Sequence, residues 1–307
     1  MQLLIRPEAF TGRIERFGFQ YLGFEARRLA RGERCSGETG ESELGLVLLG
    51  GRCSVESSRG GWREIGARAT VFDGLPYALY LPLATRFTVI AESDCDLAFC
   101  YSRAGESHPA RLVTPDQVRI EIRGGANATR QINHILPPEF PADRLLVVEV
   151  FTPGGNWSSY PPHKHDVHDP PMEADLEEIY YYRVDRPEGY AIQKVYTADR
   201  KLDETITVRD GELVLVPEGY HPVVAAHGYT VYYLNALAGS ARSMAASDDP
   251  AYAWVRQTWR ERDPRVPLPV KPLADAHGSD TKPLADAHGS DTKPLADARG
   301  SETEPRP

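Results

Sequence analysis

Long apolar runs are missing from this 307-residue chain. None approaches the roughly 18 consecutive residues that a helix needs to cross a bilayer, so no membrane partner is expected. The opening residues MQLLIRPEAF lack both the apolar core and the small-residue cleavage site of an export signal, and the expected location is cytoplasmic. Positive charge is in deficit: 35 Lys and Arg face 44 Asp and Glu, a formal net charge of -9. That balance offers nucleic acid no footprint, while a locally positive pocket for a small anion stays compatible with it. Cysteine is scarce. Cys35, Cys53, Cys95 and Cys100 all fall in the first third, in neither a C-x-x-C nor a paired zinc pattern, and read as free thiols of a reducing compartment. Asn127-Ala128-Thr129 fits a glycosylation sequon, which carries no weight without export. Amphipathic helical periodicity is nearly absent. Its best instance is Asp248 to Arg260, where Asp249-Pro250 reads as an N-cap with proline in the first turn.

What is present is strand pattern. In the first half the candidates are Leu44–Leu49, Arg68–Phe72, Tyr77–Leu81, Phe87–Ala91 and Leu97–Tyr101. In the second they are Leu145–Phe151, Glu178–Arg183, Tyr190–Thr197, Thr205–Val208, Glu212–Val216 and Thr230–Asn235. Gly, Pro, Ser and Asp clusters separate them at the spacing of an all-β sandwich or barrel. The Gly-, Asn- and Pro-rich stretch Gly124 to Pro141 reads as an interdomain connection. Val71-Phe72-Asp73-Gly74-Leu75-Pro76-Tyr77 and Leu215-Val216-Pro217-Glu218-Gly219-Tyr220-His221 share one plan, a strand, a tight Gly turn and an aromatic. Two copies of one barrel account for that likeness. Toward the C-terminus, Lys271–Thr281 reads KPLADAHGSDT; Lys282–Thr292 repeats it unchanged, and Lys293–Thr303 repeats it with Arg299 for His and Glu302 for Asp. An eleven-residue unit with a single Leu buries too little apolar surface to offset ordering its backbone. The expected organisation is therefore residues 1–130 as a barrel without metal ligands, 131–262 as a metal-binding barrel, and 263–307 as a disordered tail.

Histidine is concentrated where chemistry is expected. Five of the nine histidines lie between residues 163 and 227. In His163-Lys164-His165, positions i and i+2 of an extended chain face the same way, so both imidazoles can address one ion. Glu178 opens a strand downstream, and His221 follows the turn in Gly211-x5-Pro217-x-Gly219-Tyr220. These residues resemble the two motifs of the cupin superfamily, which implies an all-β bicupin: two antiparallel jelly-roll β-barrels with few short helices. Two departures stand out. Twelve residues, Asp166 to Glu177, separate the H-x-H pair from its carboxylate, and the last histidine follows Gly219 one position early. The resemblance implies Glu178 rather than Glu177 as ligand, because the superfamily's carboxylate directly precedes the apolar strand residues. The implied set is His163, His165, Glu178 and His221 around one divalent ion. Three imidazoles and a carboxylate suit zinc, iron, manganese or nickel without choosing among them.

Longer stretches are more specific. Gly155-Asn156-Trp157-Ser158-Ser159-Tyr160-Pro161-Pro162-His163-Lys164-His165-Asp166, Leu176 to Arg183, Ala191 to Thr197, Val216 to Val223 and Tyr232-Tyr233-Leu234-Asn235 closely resemble the bacterial 5-deoxy-glucuronate isomerase family of myo-inositol catabolism. The likeness runs from about residue 1 to 260. It implies an aldose–ketose isomerase that takes 5-deoxy-glucuronate to 5-dehydro-2-deoxy-gluconate, a uronate-type sugar acid as small-molecule partner, and a chain that can form a homo-oligomer. Two alternatives stay open: the 5-keto-4-deoxyuronate isomerase of pectin breakdown, and a sugar-binding cupin without turnover.

Such an isomerisation needs a proton-transfer group within about 3 Å of its proton. The expected candidates are Lys194, Tyr182 and Glu177, with His168 on the insertion as a fourth. Tyr180 is expected to line the substrate pocket, and Arg183, the cation nearest in sequence, to meet the substrate carboxylate.

Overall fold

Strands rich in apolar residues, such as Ser42–Gly50 and Val231–Gly239, are buried at every position. A strand can be apolar on both faces only if both faces are covered, and four stacked sheets provide that cover here. The computed structural model describes residues 1–268; the repeats expected to form a tail lie outside the described residues.

Each half contributes an inner and an outer sheet, all antiparallel. The outer sheet of the first half orders Arg34–Glu38, Arg86–Ala91, Cys53–Ser57 and Gly60–Ile65. Its apolar face meets an inner sheet of Arg111–Val113, Ala78–Leu81, Ser42–Gly50, Cys95–Arg103 and Leu22–Leu29. In the second half the inner sheet has seven strands: Leu4–Ile5, Leu213–Val216, Leu176–Val184, Val231–Gly239, Leu146–Thr152, Arg130–Leu136 and Arg119–Arg123. The outer sheet there orders Trp157–Ser158, Val223–Ala225, Ala191–Tyr196 and Asp203–Val208.

The two inner sheets pack against each other. Along Val231–Gly239, the even positions Tyr232, Leu234, Ala236 and Ala238 join Val47, Tyr80 and Cys100 in that central core. Val231 and Tyr233 instead face the outer sheet with Val195 and Val223. The period-2 alternation of a strand thus sorts each side chain of the inner sheets into one of two cores. All four cysteines are buried and free.

Three expectations change. Gly124 to Pro141 is not a connection, because Arg130–Leu136 inside it is a fully buried strand paired to both Arg119–Arg123 and Leu146–Thr152. Its Ile132, Ile135 and Leu136 supply core surface to both faces. Arg68–Phe72 is not a strand: Thr70 caps a short 3-10 turn over Val71–Asp73, its backbone N–H donating to the Asp73 carboxylate at 3.0 Å. Asp248 to Arg260 is not an α-helix. Asp249 closes a turn, taking the Ala251 N–H at 2.9 Å and the Tyr196 hydroxyl at 2.7 Å, and only a 3-10 segment, Ala253–Thr258, follows. No helix of the described residues is long and apolar enough to cross a membrane.

Candidate metal centre

His163 lies on a two-residue strand, His163–Lys164, that pairs with Ser247–Asp248. His165 follows, and its carbonyl accepts the Leu176 N–H at 2.9 Å. The chain therefore leaves His165 and returns beside it just before Glu178. The inserted residues between fold onto Glu173, whose Oε1 accepts Lys164 Nζ at 2.8 Å and the Asp166 and Val167 N–H groups at 3.0 Å each. Asp166 Oδ2 takes the Gly219 N–H at 2.8 Å, tying this loop to the turn that carries His221. Gly219 sits at φ +86°, and a Cβ there would meet the Tyr196 carbonyl oxygen at 2.5 Å, so only glycine fits. The residues Asp166 to Glu177 and the turn from Gly219 to His221 thus form a cross-linked pair of loops.

The ligand-capable atoms of His165, Glu178 and His221 lie within 4.8 Å of one another, all three residues buried. Glu178 Oε2 is 3.0 Å from His165 Nε2 and 3.3 Å from His221 Nε2. His163 adjoins them, its ring centroid 4.9 Å from that of His221 and 6.4 Å from that of His165. Each imidazole turns Nδ1 to a main-chain carbonyl: His163 to Pro161 at 3.4 Å, His165 to Leu176 at 3.0 Å, His221 to Gly219 at 2.8 Å. A ring that donates Nδ1–H to a carbonyl leaves Nε2 with its lone pair free, the tautomer a metal needs. His221 Nε2 is buried with no hydrogen-bond partner. Burial holds His163 well below the usual histidine range, with His221 and His165 adding to it. Burial likewise lowers His221 to about 4, against the pull of Glu178. For His165 burial acts downward, but the hydrogen bond and charge of Glu178 outweigh it and raise the group. Two imidazoles kept neutral by burial, a third paired with a carboxylate, and an orphaned buried nitrogen fit a divalent cation.

His163, His165 and Glu178 line one side of a cavity of about 160 Å³, with His221 buried behind them. Tyr180 also lines the cavity, its hydroxyl 3.0 Å from Ser159 Oγ. Tyr182 shares that face but lies deeper, donating to Gln193 Oε1 at 2.8 Å. Burial, with Glu178 and the neighbouring tyrosines, holds both phenols well above their usual range.

Other expected residues sit elsewhere. Glu177 points from the opposite face of Leu176–Val184 and accepts the N–H groups of Gln20, Tyr21 and Leu22. Arg183, on that same far face, pairs with Asp96 and with Asp210. Lys194 alternates with the buried Gln193 and Val195, and reaches Asp203 at 2.9 Å on the solvent side of the outer sheet. His168 is exposed, with Nδ1 2.7 Å from Ser240 Oγ. Strand alternation separates Glu177, Arg183 and Lys194 from the cavity. In their place it holds three arginines that sequence reasoning passed over, Arg123, Arg130 and Arg256.

Comparison with known proteins bears on this geometry. The family model described as the KduI/IolB family matches residues 10–255. The 5-deoxy-glucuronate isomerase of Geobacillus thermodenitrificans (strain NG80-2) is 46% identical over 245 residues, 80% of this chain and 89% of the relative. That of Bacillus subtilis (strain 168) is 41% identical over 237 residues, 76% of this chain and 88% of its own. Among solved structures, an IolB-like protein from Salmonella typhimurium LT2 superposes with a TM-score of 0.80 at 39% identity, covering 83% of this chain and 99% of that one. The oxalate decarboxylase of Lactobacillus farciminis matches with a TM-score of 0.58 at 10% identity, covering 81% and 88%, a likeness of cupin-like fold alone.

Proposed function

The chain belongs to the KduI/IolB family, and from that premise we propose that it is an aldose–ketose isomerase converting 5-deoxy-glucuronate to 5-dehydro-2-deoxy-gluconate. The observation that carries the reading is the buried His165–Glu178–His221 cluster on a small cavity, in a chain 46% identical to an isomerase of that name. The organisation we propose is a bicupin in which the first half carries no metal ligands and the second holds one divalent ion on His163, His165, Glu178 and His221.

When bound, such an ion supplies a Lewis acid for the carbonyl and its adjacent hydroxyl. The side chains do the rest. Nδ1 of each histidine, held by a carbonyl, fixes its ring so that Nε2 is the nitrogen left for the ion. The isomerisation breaks the C2–H and O2–H bonds and forms C1–H and O1–H bonds, leaving composition unchanged. Tyr180, kept as a phenol by burial, donates from Oη to a sugar oxygen and exchanges that proton with Ser159 Oγ at 3.0 Å. Glu177 and Lys194, held away from the cavity by their own partners, take no part.

Purified protein given 5-deoxy-glucuronate and, separately, 5-keto-4-deoxyuronate, with products followed by NMR, tests this. Conversion of the first substrate is expected. Conversion of the second alone would move the chain to the pectin-pathway activity, and conversion of neither would leave a binding protein.

A further inference from the structure

We infer that Arg130 docks the carboxylate of the sugar acid, with Arg123 and Arg256 completing a cationic rim that selects uronates over neutral sugars. This rests on the isomerase reading and names the group that decides its substrate class.

Arg130 begins the buried strand Arg130–Leu136, and Arg123 is its direct partner across the antiparallel ladder. Directly opposed like charges repel, so this pairing needs compensation. Arg123 has it: Glu121 accepts its Nε at 2.7 Å and its Nη2 at 3.0 Å. Arg256 has it too, in both carboxylate oxygens of Asp248. Arg130 has none. It is 3% exposed, and its acceptors are two main-chain carbonyls, Ala128 at 3.1 Å and Tyr160 at 3.0 Å, both reached through Nη1. No carboxylate pairs with it among the described residues, and Nε and Nη2 make no hydrogen bond there.

A buried guanidinium without a counter-charge is costly, and folded proteins normally pair it. Burial lowers Arg130 to about 10, and the charges of Arg123 and Arg256 push the same way. An anion in the cavity would reverse all three effects. The Nε–Nη2 edge of the guanidinium, left free by these contacts, suits a planar carboxylate taken in bidentate fashion. The same cavity is lined by His163 and Glu178, and the Arg130 charge reaches His163. A short chain with a carboxylate at one end and a carbonyl at the other can therefore touch Arg130 and the metal-ligand cluster together. Arg183, expected for this role, is already neutralised by Asp96 and Asp210 on the far face.

The test is calorimetric titration of the metal-loaded protein with glucuronate, which differs from 5-deoxy-glucuronate by one hydroxyl, and with glucose, its neutral counterpart. Wild-type protein is expected to bind glucuronate well ahead of glucose. Arg130→Met should weaken glucuronate about 10- to 100-fold, the scale of a lost charge-assisted pair, and leave glucose unchanged. Arg130→Lys should recover part of the loss. Equal binding of both sugars by wild type, or an undiminished preference in Arg130→Met, overturns the inference. If Arg130→Met fails to fold, Arg256→Gln gives a second reading: a preference reduced severalfold supports the rim, and an unchanged one refutes it. Turnover of 5-deoxy-glucuronate is measured separately. A protein that selects glucuronate through Arg130 but isomerises nothing loses the isomerase reading and keeps this one.

Discussion

Neighbouring carboxylates Glu177 and Glu178 should separate completely when each is changed to glutamine. Glu177 Oε1 accepts the Gln20 N–H at 2.5 Å, and Oε2 accepts those of Tyr21 and Leu22 at 2.9 and 3.0 Å. The carboxylate thus fastens the chain entering strand Leu22–Leu29 to the inner sheet of the second half. Hydrogen bonds to a charged group contribute about 1.5–3 kcal/mol each when buried, and partial exposure around Gln20 reduces that. Glutamine keeps one oxygen for Tyr21 and Leu22 but turns an NH2 toward the Gln20 N–H. A loss of about 1–2 kcal/mol follows for Glu177→Gln, and about 2–4 kcal/mol for Glu177→Ala. In a domain this large each kcal/mol shifts Tm by about 2–4 °C. Thermal melts should therefore fall by a few degrees, while metal content and kcat stay at the wild-type level. A hundredfold loss of turnover in Glu177→Gln with an unchanged melt would return Glu177 to the chemistry and refute this placement.

Glu178→Gln and His221→Ala should each strip most of the bound metal, read by elemental analysis, while circular dichroism stays native; full occupancy in both would sink the ligand assignment. Arg68→Met should cost about 3–5 kcal/mol in urea unfolding, the usual effect of orphaning a buried charge, because Arg68 binds Glu149 through three contacts of 3.0–3.2 Å between the halves. A change below about 1 kcal/mol would show that Glu149 finds another partner. Lys194→Met should leave turnover within about twofold of wild type, since Lys194 serves Asp203 on the outer sheet; a hundredfold drop, the scale of a lost general base, would contradict its solvent-side position.

How far the site is legible in the sequence follows from how local its determinants are. Alternation within one strand is enough to put Glu178, Tyr180 and Tyr182 on one face, and the fold keeps them together. Applied without exception, the same rule sends Glu177 and Arg183 to the other face. What misleads is proximity in sequence, which in a strand guarantees the wrong side for every odd step. The inner and outer sheets raise a different obstacle. Lys194 sits among apolar neighbours on a strand buried on one face only, and the pattern alone does not say which face meets the cavity.

Arg130 escapes a reading of the sequence for a third reason. Glycine, asparagine and proline around it suggest a connection, although Ile132, Ile135 and Leu136 carry a buried strand's composition. Its significance also depends on what is absent nearby, and a missing counter-charge is a property of three dimensions. Arg123 and Arg256 each find an acidic partner close in sequence, two and eight residues away. Arg130 has no Asp or Glu within five residues on either side, so the chain supplies it no local partner. The ladder then sets it opposite another arginine. A cation denied both a local and a cross-strand counter-charge, and still buried against the cavity, is one the fold has left to be neutralised by a ligand.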